Sequence, residues 1–256
     1  MRHSPLILAG RGPVPLVAVA HGSKDPRAAA TVQGLLTAVR ARRPGLPVLT
    51  SYLDHAPPAP AGVLAGLDAD AAVVLPLLLT AAYHSKIDIP GVLAGVRTAR
   101  PRLGLRTAGT LGPHPLLTAA LERRLAEAGV PTGDPGTAVV LVAAGSSDPA
   151  ANATIWSLAR RWRAAGWWGV VPAFASAARP TPGEAVAALL DAGAPRVAVA
   201  SYFLAPGYFA DKVRAESLAA GATAVSGVLG AAPEMAEVVL HRYDEALSDG
   251  AQAAAV

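Results

Sequence analysis

The chain has 256 residues, of which 52% are hydrophobic and 16% charged, with a formal net charge of +4 and no cysteine. That composition excludes a disordered chain, and the missing thiols exclude a disulfide framework, thiolate metal sites and a cysteine nucleophile, so any metal must sit on His, Asp or Glu. The positive charge comes mostly from scattered arginines and only 5% of residues are aromatic, which argues against a nucleic-acid partner and for a small anionic ligand.

The predicted elements alternate from the start. Short apolar runs closed by turn residues predict strands at Leu16–Ala20, Pro47–Leu53, Ala72–Leu79 and Leu105–Leu111. Helical patterns lie between and after them, at Ala28–Arg42, Ala61–Leu67, Ile87–Arg100 and Leu116–Ala128. A Pro- and Gly-rich linker, Gly129–Gly136, follows. The same order then returns, with strands at Ala138–Ala143, Val170–Ala175, Val197–Leu204 and Ala224–Leu229. No run is long enough to span a bilayer: the longest, Ala71 to Ala82, is broken by Pro76, whereas about 20 apolar residues are needed. Arg11 cuts the apolar start before an export segment forms, so a cytoplasmic location with no membrane partner is expected.

The repeat reaches into the residues. AHGSKDP (Ala20–Pro26) returns as AAGSSDP (Ala143–Pro149), YLDHAPPAP (Tyr52–Pro60) as FASAARPTP (Phe174–Pro182), and LTAAYHSK (Leu79–Lys86) as LAPGYFAD (Leu204–Asp211). GTLGPHP (Gly109–Pro115) likewise returns as GVLGAAP (Gly227–Pro233). A spacing of roughly 120 residues makes the repeated unit a whole domain rather than a solenoid turn. The expectation is an α/β protein of two homologous domains, 1–130 and 131–256, the second a degenerate copy. Each would be a four-stranded parallel sheet flanked by helices, with a core of its own and a ligand cleft between the two.

Asp25 and Asp148 each precede a proline, predicting an N-cap with Pro at the first helical position. Gly22-Ser23 and Gly145-Ser146 would then present backbone N–H groups beside a positive helix end, where a carboxylate can sit. Neither turn carries GxGxxG or the Walker pattern, so a nucleotide site is not expected.

His21 ends the first strand, Asp54 the second, and His84 lies just past the third. All three fall on the carboxyl edge, where open α/β sheets bind ligands. A sheet order that reverses between strands 1 and 3 would set His21 and His84 on one crevice. In the second half the three positions are Ala144, Ser176 and Phe209, while the glycine, the Asp-Pro cap and the tyrosine (Tyr83, Tyr208) are kept. Histidines that served the fold would be needed in both copies, so His21, His84 and Asp54 are read as functional. His55, replaced by Ala177, is expected to point away from Asp54; His114 is a weaker candidate, and His3 and His241 look like surface residues.

HGSKDP, YLDHAPP and LPLLLTAAYHSKIDIP, in that order and over essentially the full chain, resemble the CbiX/SirB family of sirohydrochlorin chelatases, whose long members also have two homologous halves. The resemblance implies the class II chelatase fold and a lyase-class metal chelatase that inserts a divalent ion, Co²⁺ or Fe²⁺, into an anionic tetrapyrrole for cobalamin or sirohaem synthesis. The metal is then a substrate and no organic cofactor is expected. It implies that His21 and His84 are the catalytic, metal-contacting residues and that Thr80, Ala81, Ala82 and Tyr83 line the tetrapyrrole site. Asp54 stands where the family often has a glutamate, as a possible third metal ligand with a side chain one methylene shorter. Ala81-Ala82 replace the usual Pro-Gly. Lys24, Lys86 and Arg179, with the turns at Gly22, Ser23, Gly145 and Ser146, are candidates for the substrate carboxylates. A non-catalytic metal or tetrapyrrole carrier is the alternative.

Overall fold

The computed structural model describes residues 12–81 and 87–253. Its elements run β1 (Leu16–Ala20), α1 (Pro26–Arg42), β2 (Val48–Tyr52), α2 (Pro60–Ala65), β3 (Ala71–Pro76), α3 (Ile89–Ala99), β4 (Gly104–Thr107) and α4 (Pro115–Glu127). The second half repeats them as β5 (Thr137–Ala143), α5 (Pro149–Trp162), β6 (Gly169–Phe174), α6 (Pro182–Asp191), β7 (Arg196–Ser201), α7 (Tyr208–Ala219), β8 (Ala224–Val225) and α8 (Pro233–Ala253). Both sheets are parallel throughout, ordered β2-β1-β3-β4 and β6-β5-β7-β8. Each order reverses next to its central first strand, which is where an α/β sheet opens a crevice.

The helix starts follow the sequence chemistry. Asp25 and Asp148 each accept a hydrogen bond from the backbone N–H two residues on, at 2.9 Å, with Pro26 and Pro149 opening the helices. Thr181 and Glu184 form a reciprocal capping box on α6. The predicted strands overrun by three residues or more in four places. β3, β4, β7 and β8 end short of the expected Leu79, Leu111, Leu204 and Leu229. After β3 and β7 the apolar run continues: Leu77 and Tyr202 still donate to Val19 and Val142 of the central strands, and Leu77–Leu79 and Tyr202–Leu204 then line a cavity between the halves. Apolar periodicity records burial and cannot say whether a sheet or a cavity wall does the burying.

The layers run α2 and α3, first sheet, inner helices, second sheet, α6 and α7. Alternation along β1 sends Val17 and Val19 outward onto α2 and α3, and Leu16, Ala18 and Ala20 inward. β5 does the same, with Val140 and Val142 outward and Val139 and Leu141 inward. The inner layer belongs to neither half alone. α8 packs on β3, β4 and α1 of the first half, while α4 reaches β7 of the second. One apolar cluster therefore runs from Leu16 and Leu36 through Leu121 and Met235 to Leu141 and Trp162. A separate core for each half exists on the outer faces only.

Polar contacts pin the exchanged helices. Arg43 makes a bidentate pair with Asp244 at 2.5 and 2.8 Å, Arg123 bonds Glu234 at 2.7 Å, and the Tyr243 hydroxyl donates to the Val14 carbonyl at 2.6 Å. His114 N-caps α4: its Nδ1 accepts from Leu116 N–H at 3.2 Å, so its Nε2 carries the proton in the neutral ring and faces His241 Nδ1 at 3.3 Å. Burial first, then Arg242 and His241, hold its pKa below the ordinary histidine value, against a weaker pull from Glu245. A histidine depressed in the folded state is protonated more readily in the unfolded chain. Stability through this group is present above the unfolded pKa of about 6.5 and declines as pH falls below it towards the folded value. His114→Asn keeps an acceptor for Leu116 N–H but cannot titrate. Urea midpoints measured at about pH 7 and about pH 5 are expected to fall less in this variant than in the parent; equal falls would show that His114 carries none of the acid sensitivity.

Candidate active site

The loop after β1 is built around a close approach that only glycine allows. Gly22 has φ +94°, and a Cβ there would lie 1.8 Å from the Asp54 carbonyl oxygen. Gly145 has φ +85° and the same relation, 1.9 Å, to Ser176. The hydrogen bonds match as well: Asp54 N–H donates to the His21 carbonyl and Ser176 N–H to the Ala144 carbonyl, each at 2.9 Å. Ser23 and Ser146 accept from the N–H of Asp25 and Asp148 at 3.1 and 3.0 Å. The two frames are one design, and it holds with or without a histidine.

One difference bears on anions. In the second half Ser146 N–H donates to Asn152 Oδ1 at 3.0 Å, and Asn152 Nδ2 donates back to the Ser146 carbonyl at 2.7 Å. Ala29 stands at the corresponding place in the first half and carries no polar side chain. The turn at Gly22-Ser23 thus keeps the donor that Asn152 occupies at Gly145-Ser146, so the two expected carboxylate-holding turns are not equivalent. The Ala29/Asn152 pair was readable in the repeat and would have given this asymmetry.

His21 is exposed at the carboxyl end of β1. Its Nδ1 lies 3.0 Å from the Gly22 carbonyl, which can only accept, so Nδ1 carries the ring proton and, in the neutral ring, Nε2 is the nitrogen that bears the lone pair. Its ring centroid is 6.2 Å from that of His55. His55 does not point away from Asp54. Its backbone is left-handed, φ +61°, as is Ala177 at φ +58° in the second half, and this turns the ring back so that Nε2 is 3.3 Å from Asp54 Oδ2. The other carboxylate oxygen accepts from His55 N–H at 2.7 Å. A left-handed non-glycine residue costs about 1 kcal/mol or more. The strict i, i+2 alternation used to orient His55 fails here because the strand has ended.

A cavity of about 320 Å³ opens between the halves at this edge. His21, Gly22, Ser23 and Thr80 line it from one side, Ala144, Gly145 and Ser146 from the other, and Val32, Ile155, Leu79 and Leu204 make much of the rest apolar. Tyr202 ties its walls together, its hydroxyl donating to the Leu79 carbonyl at 3.2 Å. Burial drives the Tyr202 pKa well above the ordinary phenol range, so it is a fixed donor. A second groove of about 360 Å³ shares His21, Gly22, Ser23, Ala28 and Phe203 with the first and adds Lys24 and His55.

Of the sequence candidates, His21, Gly22, Ser23, Thr80, Gly145 and Ser146 meet at the cavity, and Lys24 at the adjoining groove. Asp54 and Ala81 line neither; Asp54 stands behind His55 with its side chain 65% exposed. Arg179 lines neither and is ion-paired with Glu184 at the start of α6. Ala82, Tyr83, His84 and Lys86 lie outside the described residues. Among the described residues no group of three or more His, Cys, Asp or Glu side chains is placed to hold a metal. No described helix is long and apolar enough to cross a membrane.

Comparison with known proteins agrees with this architecture. The sequence model of the CbiX family matches twice, over residues 15–128 and 138–246, once in each half. A sirohydrochlorin cobaltochelatase of Priestia megaterium is 30% identical over 198 residues, which cover 74% of this chain and 63% of that relative, so the chain spans less than two thirds of its length. SirB from Bacillus subtilis with Fe³⁺ superposes with a TM-score of 0.79 at 25% identity, covering 92% of this chain and 97% of that one. SirB from Bacillus subtilis subspecies spizizenii, in complex with cobalt, matches with a TM-score of 0.76 at 21% identity over 91% of this chain and 94% of its own.

Proposed function

Because this chain belongs to the CbiX family, we propose that it is a sirohydrochlorin chelatase inserting a divalent ion, Co²⁺ or Fe²⁺, into the macrocycle, with ion and tetrapyrrole both as substrates and no organic cofactor. The observation that carries the reading is the one-sided cavity. Two matching loop frames face each other, and only one bears an imidazole, His21, across from Ala144. The relatives named for sirohydrochlorin, iron and cobalt support the choice of substrate.

The proposed chemistry uses the Nε2 lone pair of His21. Metallation of a tetrapyrrole expels two pyrrole N–H protons as the ion enters. A neutral imidazole held as the Nδ1–H tautomer can contact the ion or take one of those protons, and histidine does either near neutral pH. We assign His84, on the segment after β3, as its partner, and Asp54 as a further ligand that exchanges its pairing with His55 for the ion. A set of so few ligands keeps coordination positions open for the substrate nitrogens and lets the ion leave. The apolar walls suit the macrocycle faces, and Lys24 with the N–H groups of Gly22-Ser23 suits its carboxylates.

The test is metallation of sirohydrochlorin by the purified chain, followed by its absorbance change with Co²⁺ or Fe²⁺ in turn. Many product equivalents per chain are expected. A signal that stops at one equivalent would replace the enzyme with the carrier, and no signal with either ion would end the reading.

A further inference from the structure

The second half lacks the titratable groups, yet it presents two large aromatic rings to the groove. Tyr208 and Phe209 open α7, 74% and 39% exposed, with ring centroids 5.6 Å apart in an edge-to-face arrangement. The helix does not need them for packing, since its buried side chains are Val213 and Ser217. They line the groove that His21, Lys24 and His55 border from the first half. In the repeat they align with Tyr83-His84. Where one half has a tyrosine and a titratable ring, the other keeps the tyrosine and substitutes an apolar ring.

Two features fix this pair. Gly207, just before it, has φ +157° and ψ −174°, a conformation essentially reserved for glycine, so the chain can turn sharply into the helix. One turn on, Asp211 receives Arg27 Nη2 of α1 at 2.6 Å, bracing the start of α7 against the first half. An exposed aromatic pair held at a set place across from an imidazole is a surface for a flat conjugated partner, which gains from ring contact as well as burial. Lys24 on the facing wall adds attraction for peripheral carboxylates.

Resting on the reading of the cleft as a sirohydrochlorin site, we infer that Tyr208 and Phe209 form an aromatic wall against which the macrocycle stacks, so that the degenerate half supplies substrate affinity while the first half supplies the chemistry. The wall acts on binding and leaves the metal ion to His21.

The experiment titrates metal-free sirohydrochlorin into the full-length chain, with no metal added, and then measures metallation kinetics on the same samples. Tyr208→Ala and Phe209→Ala are each expected to weaken binding about fivefold and the double variant about 30-fold, with kcat within about threefold of the parent. Tyr208→Phe and Phe209→Tyr should restore affinity. Leu218→Ala, an exposed apolar residue further along α7, should leave it unchanged. A double variant that binds like the parent overturns the wall, as does a Leu218→Ala loss of equal size, which would indicate a general effect on the helix. So does a parent that dimerises through this patch, with the double variant monomeric and its affinity intact. A parent chain that neither binds nor metallates sirohydrochlorin instead removes the chelatase reading, and the wall with it.

Discussion

Replacing His21 with alanine is expected to lower kcat/KM for metallation by about 10²- to 10⁴-fold, the range for losing a positioned proton acceptor or ligand. The folded chain should survive, because His21 is exposed and its loop frame is duplicated around Ala144 in the second half, where alanine is already accommodated. The urea midpoint of His21→Ala should therefore stay close to the parent's. His84→Ala is expected to fall in the same range. The two losses together should be far smaller than their product, since groups acting on one ion act as a unit. Parent-like turnover in His21→Ala would remove the one-sided cavity as the basis of the site, whatever the protein's substrate proves to be.

Much of this arrangement was legible in the chain, for reasons that can be traced to residues. The duplicated Gly-Ser-x-Asp-Pro turn encodes a positive φ at Gly22 and Gly145, a serine acceptor, an aspartate cap and a proline at the first helical position. Each has a local physical cause, so each was readable without a partner. The contrast between His21 and Ala144 is informative for the same reason: one frame tested with two side chains separates a structural need from a chemical one. What stayed hidden depends on distant parts of the chain. An amphipathic helix shows that it has a buried face but not which sheet will cover it, so the crossing of α4 and α8 had no local mark. His55 was misplaced because a left-handed residue breaks the alternation its orientation was read from, and no glycine or asparagine announced it. The apolar tails Leu77–Leu79 and Tyr202–Leu204 read as strand because a cavity wall and a sheet interior ask for the same side chains.

Leu36→Ala is expected to destabilise both halves together. Leu36 is fully buried on the inner face of α1, in the same cluster as Leu121 of α4, Met235 of α8 and Trp162 of α5. Truncating a buried leucine removes its transfer free energy and leaves a cavity, a cost of about 2–5 kcal/mol. The placement of the tryptophans makes the test clean: all four lie between residues 156 and 168, in the second half. Tryptophan fluorescence therefore reports the surroundings of second-half residues, among them Trp162, whose indole N–H donates to Glu122 of α4 at 2.9 Å, whereas far-UV circular dichroism reports the helices of both halves. If the exchanged helices make one cooperative unit, a truncation in α1 shifts the urea transition equally by both signals, and the two curves superpose. If instead each half were held by its own outer core, the fluorescence transition would stay at the parent midpoint while the circular dichroism split into two steps. The joint shift would also tie the fold to the proposed chemistry, since the cavity's two walls can keep their spacing only if the core behind them is shared.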